Sequence, residues 1–149
     1  PSPDEDAGCV RAGIAKGPHK ERMAIDDEDG KPSQTEFKII EKASKEAAFV
    51  AFWPRTGRTH QIRIHAADIL LAPVIGDSRY NAPDFEGGLQ IADRLHLHAR
   101  RLILDLPSGR RLDITAPLPE DLQQSWKALG FNPDNDDDPF DIPELNCFC

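Results

Sequence analysis

Within the nine residues Gly57-Arg58-Thr59-His60-Gln61-Ile62-Arg63-Ile64-His65 the chain sets two arginines, two histidines and a glutamine between apolar anchors that read as core. Polar groups this dense beside a core usually serve a site. The stretch follows Trp53-Pro54-Arg55-Thr56, and Gly57 is expected to supply the unusual backbone angle with which a strand turns sharply into the next element. Thr59 is then the expected N-cap of a helix running to about Leu71, with Ile62, Ala66, Ile69 and Leu70 at helical spacing and Pro73 closing it. An alternating strand of Gln61, Arg63 and His65 against Ile62 and Ile64 fits locally too. It ranks second because Ala66 to Leu71 continues as helix.

The rest of the pattern arranges itself around this corner. Thr35–Glu41 and Ala47–Trp53 are apolar-rich runs with β-branched or aromatic residues, and they read as a β-hairpin. Pro73 to Pro83 is a turn-rich connection holding Tyr80, the sole tyrosine, which is expected to be a packing residue. Phe85 to Ala92 reads as a surface excursion. Leu95–Leu104 and Arg111–Thr115 form a second expected hairpin across Pro107-Ser108-Gly109, with His96 and His98 on one strand face. A last helix starts at Pro119-Glu120-Asp121 and runs through Leu122, Trp126 and Leu129 to a stop at Gly130. The expected class is α+β, with a mixed, mainly antiparallel sheet and a few helices. Residues 1–12 are expected to be a disordered N-terminal end, 13–131 the folded part, and 132–149 an acidic tail; Asp26 to Gly30 is a charged turn.

Charge is divided by region. The net charge is -8, yet six acids and no base lie between Asn132 and Cys149, while Ala47 to Pro117 holds nine arginines against seven acids and no lysine. Arginine without lysine suits forked recognition of phosphates or carboxylates. The apolar fraction of 39% is low for a compact domain, and Met23 is the only methionine, so a portion of something longer is expected. With no long apolar run and no charged-then-apolar leader, a soluble cytoplasmic protein is the default expectation, with no membrane partner. Cys9, Cys147 and Cys149 sit near the ends and make neither a disulfide framework nor a spaced zinc site. His60, His65, His96 and His98 lack the helical i, i+4 spacing of a zinc pair, so no metal site is assigned. Ser78 and Ser108 lie in turns without a nucleophile elbow, and Cys9 lies in an end expected to be mobile. The chain thus has groups to hold an anion or an acid and none evident for attack.

Thr56 to His65 resembles, in full, the T-G-R-T-H-Q-I-R-x-H signature of RluA-type RNA pseudouridine synthases. Pro73-Val74-Ile75-Gly76-Asp77-Ser78-Arg79-Tyr80 matches the family's P-x-x-G-D-x-x-Y, Leu97 to Leu102 its L-H-A-x-x-L strand, and Ala116 to Pro119 its A-P-L-P. The resemblance covers roughly Gly13 to Phe131 and implies the C-terminal part of the family's catalytic domain. It implies no metal or organic cofactor, and an RNA partner, ribosomal by expectation. In that family an aspartate on H-R-L-D-x-x-T-S-G attacks the target uridine. By resemblance Arg63 is the catalytic-site arginine that pairs with it. Arg58, Thr59, His60 and Gln61 would shape the uridine and phosphate pocket, with His65 and Asp77 bracing it as part of the same substrate-binding set. The chain contains no H-R-L-D-x-x-T-S-G; Arg111-Leu112-Asp113 lacks its histidine and its T-S-G. An inactive fragment is therefore expected. A catalytically dead RNA-binding module is the alternative, and an α+β domain whose arginines only pair with acids is the bland one.

Overall fold

The computed structural model describes residues 2–18, 22–43, 46–80, 82, 88–135 and 138–140. Four strands, β1 (Ala7–Lys16), β2 (Met23–Ile25), β3 (Lys31–Ala43) and β4 (Ala47–Pro54), form an antiparallel sheet in the order β2-β1-β3-β4. The hairpin expected from Thr35 to Trp53 is β3 and β4, in register at Phe37 and Phe52 with a bulge between Ile39 and Glu41. β1 corrects the expectation of disorder over residues 1–12: Val10, Ala12 and Ile14 alternate into the core at 3%, 9% and 2% exposure. Its backbone pairs with β3 from Ala7↔Lys38 to Ile14↔Lys31, so partners distant in sequence make it a strand. Cys9 lies on β1 and is disulfide-bonded, which corrects its expected place in a mobile end. Cys147 and Cys149 are outside the described residues.

The Asp26 to Gly30 turn folds back on β1, with Asp26 N–H donating to Gly13 O at 2.9 Å and Gly13 N–H to Asp27 Oδ1 at 2.7 Å. Beyond β4 comes α1 (Gln61–Ile64), which widens at once into a π-helical turn over His65–Ile69, closed by Leu70 N–H donating to His65 O. The helix is thus shorter than the expected run from Thr59 to Leu71. Its N-cap is His60 in the left-handed region (φ 57), not Thr59, and no side chain caps it. Gly57 has no positive φ; the angle it was expected to supply is carried three residues later.

The second hairpin is β5 (Arg101–Asp105) with β6 (Arg111–Thr115), shorter than expected because Leu95 to Arg100 is not strand. His96 and His98 therefore share no strand face. α2 (Glu120–Leu129) ends as expected at Gly130 (φ 86), where Phe131 N–H reaches Trp126 O and Gly130 N–H reaches Lys127 O, a Schellman closure. The mainly antiparallel α+β class holds. Part of the expected excursion over Phe85 to Ala92, residues 85–87, lies outside the described residues. So does most of the acidic tail, though Arg101 reaches Asp138 at 2.8 Å and Phe140 packs edge-on against Trp53.

Two cores result. Ile14, Ile64 and Tyr80 pack between β1, β2 and α1, and Ala47, Leu122, Trp126, Leu129 and Phe131 pack α2 against the start of β4. Between β4, α2 and residues 96–103 an apolar cleft of about 1160 Å³ stays open. Buried beside it, His96 Nε2 and Trp126 Nε1 have no hydrogen-bond partner among the described residues. Among the described residues no helix is long and apolar enough to cross a membrane.

Candidate active site

The corner between β4 and α1 is stapled to β3 by Gln61, which is 4% exposed. Its Oε1 accepts from Thr56 Oγ1 at 2.8 Å and from Arg58 N–H at 3.0 Å, and its Nε2 donates to Gln34 O at 2.9 Å and Thr35 Oγ1 at 2.8 Å. Gln61 is expected from the sequence to shape the uridine and phosphate pocket. With four bonds made inside the protein, its side chain is committed to holding the corner.

The same holds for His65, which is completely buried. Its Nε2 lies 2.9 Å from Ser33 Oγ and its Nδ1 2.9 Å from Thr35 Oγ1. Ser33 must donate its one proton to Ala12 O, at 2.7 Å, because a carbonyl only accepts. It therefore accepts from His65 Nε2–H, and Nδ1 accepts from Thr35. One directed chain runs from Gln61 Nε2–H through Thr35, His65 and Ser33 to β1. Burial lowers the His65 pKa to about 4, so the ring is neutral at physiological pH. Ser33 and Thr35 went unnoticed in the sequence. Their signal is two hydroxyl residues at i and i+2 on the inward face of β3, beside buried Phe37.

Arg63 and Asp77 are brought together. Arg63 Nε donates to Asp77 Oδ2 and Nη2 to Oδ1, both at 2.7 Å, with the arginine side chain 16% exposed and the carboxylate completely buried. Asp77 Oδ1 also accepts from the N–H groups of Arg79 and Tyr80, closing the turn that Gly76 begins. Burial works against ionising Asp77, but Arg63's hydrogen bonds and charge, with those two amides, hold it below the usual carboxylate range. The hydrogen bond to Asp77 in turn raises the Arg63 pKa. Gly76 stands at φ 75, and a Cβ there would meet Arg94 O at 2.0 Å, so only glycine fits.

Beside this pair His60 Nδ1 lies 2.9 Å from the hydroxyl of Tyr80, and the Arg63 guanidinium is 5.0 Å from the Tyr80 ring centre. Burial, together with Arg63 and Arg79, lowers the His60 pKa, with Asp77 opposing. Arg58 and Thr59 lie exposed at the outer lip; Arg58 Nε donates to Pro32 O at 3.0 Å. Of the expected site residues, Arg63, Asp77 and His60 gather around Tyr80, Arg58 and Thr59 edge them, and Gln61 and His65 lie beneath. Tyr80, expected to be a packing residue, is also their common neighbour: its hydroxyl meets His60, its N–H donates to Asp77, and its ring faces Arg63. No group of three or more His, Cys, Asp or Glu that could hold a metal occurs among the described residues.

A family model described as RNA pseudouridylate synthase matches residues 2–68, ending just beyond this corner. The dual-specificity RNA pseudouridine synthase RluA of Salmonella typhi is 38% identical over 105 residues, which is 70% of this chain and 46% of that protein. The chain belongs to the RluA-type RNA pseudouridine synthases. Among other relatives in the family, the ribosomal large subunit pseudouridine synthase C of Yersinia pestis is 41% identical over 115 residues, 75% of this chain and 35% of its own. The structure of human RNA pseudouridylate synthase domain containing 4 shares the fold, with a TM-score of 0.66 at 24% identity over 87% of this chain and 58% of that one. The chain spans about half the length of the curated relatives it matches.

Proposed function

We propose that residues 13–131 are the C-terminal part of a synthase catalytic domain that isomerises uridine to pseudouridine in RNA, with large-subunit ribosomal RNA as the substrate. The observation that carries this is the Arg63–Asp77 clamp inside a complete T-G-R-T-H-Q-I-R-x-H signature. Asp77 uses Nε and one terminal nitrogen of Arg63, and Nη1 remains for another acceptor. A planar guanidinium fixed on one edge is aimed on the other, and it would hold a nucleophilic carboxylate ionised in a site where burial favours its protonated form. Arg58, Thr59 and His60 face the RNA in this proposal, while Gln61 and His65 support the corner from within.

The nucleophile comes from outside these residues, since no H-R-L-D-x-x-T-S-G is present. Supporting a domain that continues beyond them, β4 and β5 each have one unpaired edge among the described residues, and the cleft between them is apolar. Leu102, Leu104 and Ile114 on the hairpin are 57%, 47% and 50% exposed, more apolar surface than a finished two-stranded ribbon leaves in water. The two ring nitrogens beside the cleft that lack a partner among the described residues want a donor and an acceptor that further protein would bring. The proposal places the protein in the cytoplasm, where the ribosomal RNA is. Reading the sequence encoded before Pro1 tests the enzyme half: H-R-L-D-x-x-T-S-G is expected, and its absence would favour a catalytically dead RNA-binding module. Comparing the affinity of the chain for large-subunit ribosomal RNA and transfer RNA tests the substrate.

A further inference from the structure

Tyr80 joins two signature residues, His60 and Arg63, to Arg22, which lies outside the signature. Tyr80 is 1% exposed, and the Arg22 guanidinium lies 5.3 Å from its ring centre, with Arg63 at 5.0 Å. The His60 ring meets it edge-on, with centroids 5.7 Å apart. The Tyr80 hydroxyl accepts from Met23 N–H at 3.1 Å and lies 2.9 Å from His60 Nδ1. A phenol has one proton, and in this buried position Nδ1 is the acceptor within its reach, so the hydroxyl donates to Nδ1. His60 is thereby fixed as the tautomer protonated at Nε2. Nε2 has no partner among the described residues. The ring is held this way although φ 57 costs a non-glycine residue about 1 kcal/mol.

Among the described residues, the surroundings of His60 offer few acceptors. Arg63 and Arg79 act on His60 against a single carboxylate, Asp77, whose oxygens already accept from Arg63 and two amides. Arg22 makes no ion pair among the described residues; its contact is the Tyr80 ring. A half-buried guanidinium and an unpartnered ring N–H thus lie around one buried tyrosine with no acid among the described residues paired to either.

We propose that Arg22 and His60 Nε2–H form a seat for one phosphate of the bound RNA, with Tyr80 as the positioning residue that sets the His60 tautomer. The identity of the phosphate as RNA rests on the function proposed above; the seat itself does not. Arg63 stays outside it, committed to Asp77 and to the incoming carboxylate.

The test uses the ¹⁵N-labelled chain. Long-range ¹H–¹⁵N spectra are expected to show His60 unprotonated at Nδ1 and protonated at Nε2, and Tyr80→Phe is expected to mix the two tautomers. Inorganic phosphate, against matched chloride, is expected to shift Arg22 Nε and His60 Nε2 in the unaltered chain and to leave His60 Nε2 unshifted in Arg22→Gln, whose fold is checked by its amide spectrum. With a labelled single-stranded RNA, Arg22→Gln is expected to weaken binding several-fold and to reduce the log–log salt slope by about 0.7, one phosphate contact. A His60 protonated at Nδ1, or no phosphate response at these two nitrogens, overturns the seat. RNA binding with the same affinity and slope in Arg22→Gln overturns it as well. A phosphate response without any RNA binding upholds the seat and removes RNA as its ligand.

Discussion

Arg63 holds Asp77 by two parallel hydrogen bonds of 2.7 Å, and of the two side chains it is the carboxylate that is completely out of water. The burden of the pair is therefore unequal. Losing the arginine strands a buried charge, whereas losing the carboxylate frees a guanidinium that already touches solvent.

Arg63→Gln is accordingly expected to destabilise the chain more than Asp77→Asn. The first should cost about 3 kcal/mol and the second about 1–2 kcal/mol, since Asn keeps an oxygen for the Arg79 and Tyr80 amides. Urea unfolding of both variants checks the order; equal costs would mean that the pair is not electrostatically buried as described.

Acid should weaken the fold through His65. Its folded pKa of about 4 lies below the ordinary histidine value of 6.5, so the unfolded chain takes up the proton first. The stability from a neutral His65 is fully present above pH 6.5 and is lost as the pH falls toward 4. The loss should approach about 3 kcal/mol. His60, also lowered, adds a contribution of the same sign. His65→Gln should be less stable at pH 7 and should lose most of the pH dependence in this window. Urea midpoints between pH 7 and 4.5 that fall equally in both proteins would contradict the network.

The two glycines near the site should behave oppositely. Gly76→Ala forces a Cβ within 2.0 Å of Arg94 O at φ 75 and should cost several kcal/mol by thermal unfolding. Gly57→Ala meets nothing within 4 Å and has no positive φ to strain. It should be neutral, or stabilising by about 0.5 kcal/mol through the unfolded state.

Gly57 also marks where the sequence misleads. A glycine before a helix invites the unusual angle, yet His60 carries it, because the bonds of Gln61 and Tyr80 over-determine the corner. The hairpin from Thr35 to Trp53 and the helix ending at Gly130 are legible because their signals are local: runs bounded by a turn, acids in a first turn, a glycine after the last. β1 is not, since its strand state comes from pairing with β3 some twenty to thirty residues onward. Leu95 to Arg100 has a strand's composition without a ladder partner among the described residues. At the site, the signature shows which residues matter but not which way they face. His65 and Gln61 turn inward because Ser33 and Thr35 wait on β3. Arg22 and Tyr80 join them only in three dimensions.

The central claim is that these 149 residues carry the arginine side of a pseudouridine synthase site without its nucleophile. Incubating the purified chain with large-subunit ribosomal RNA labelled with tritium at uridine carbon 5 measures this directly, because forming the carbon–carbon bond releases that tritium to water. RNA binding with no release above background is the predicted result. Release over multiple turnovers by this chain alone would contradict the account.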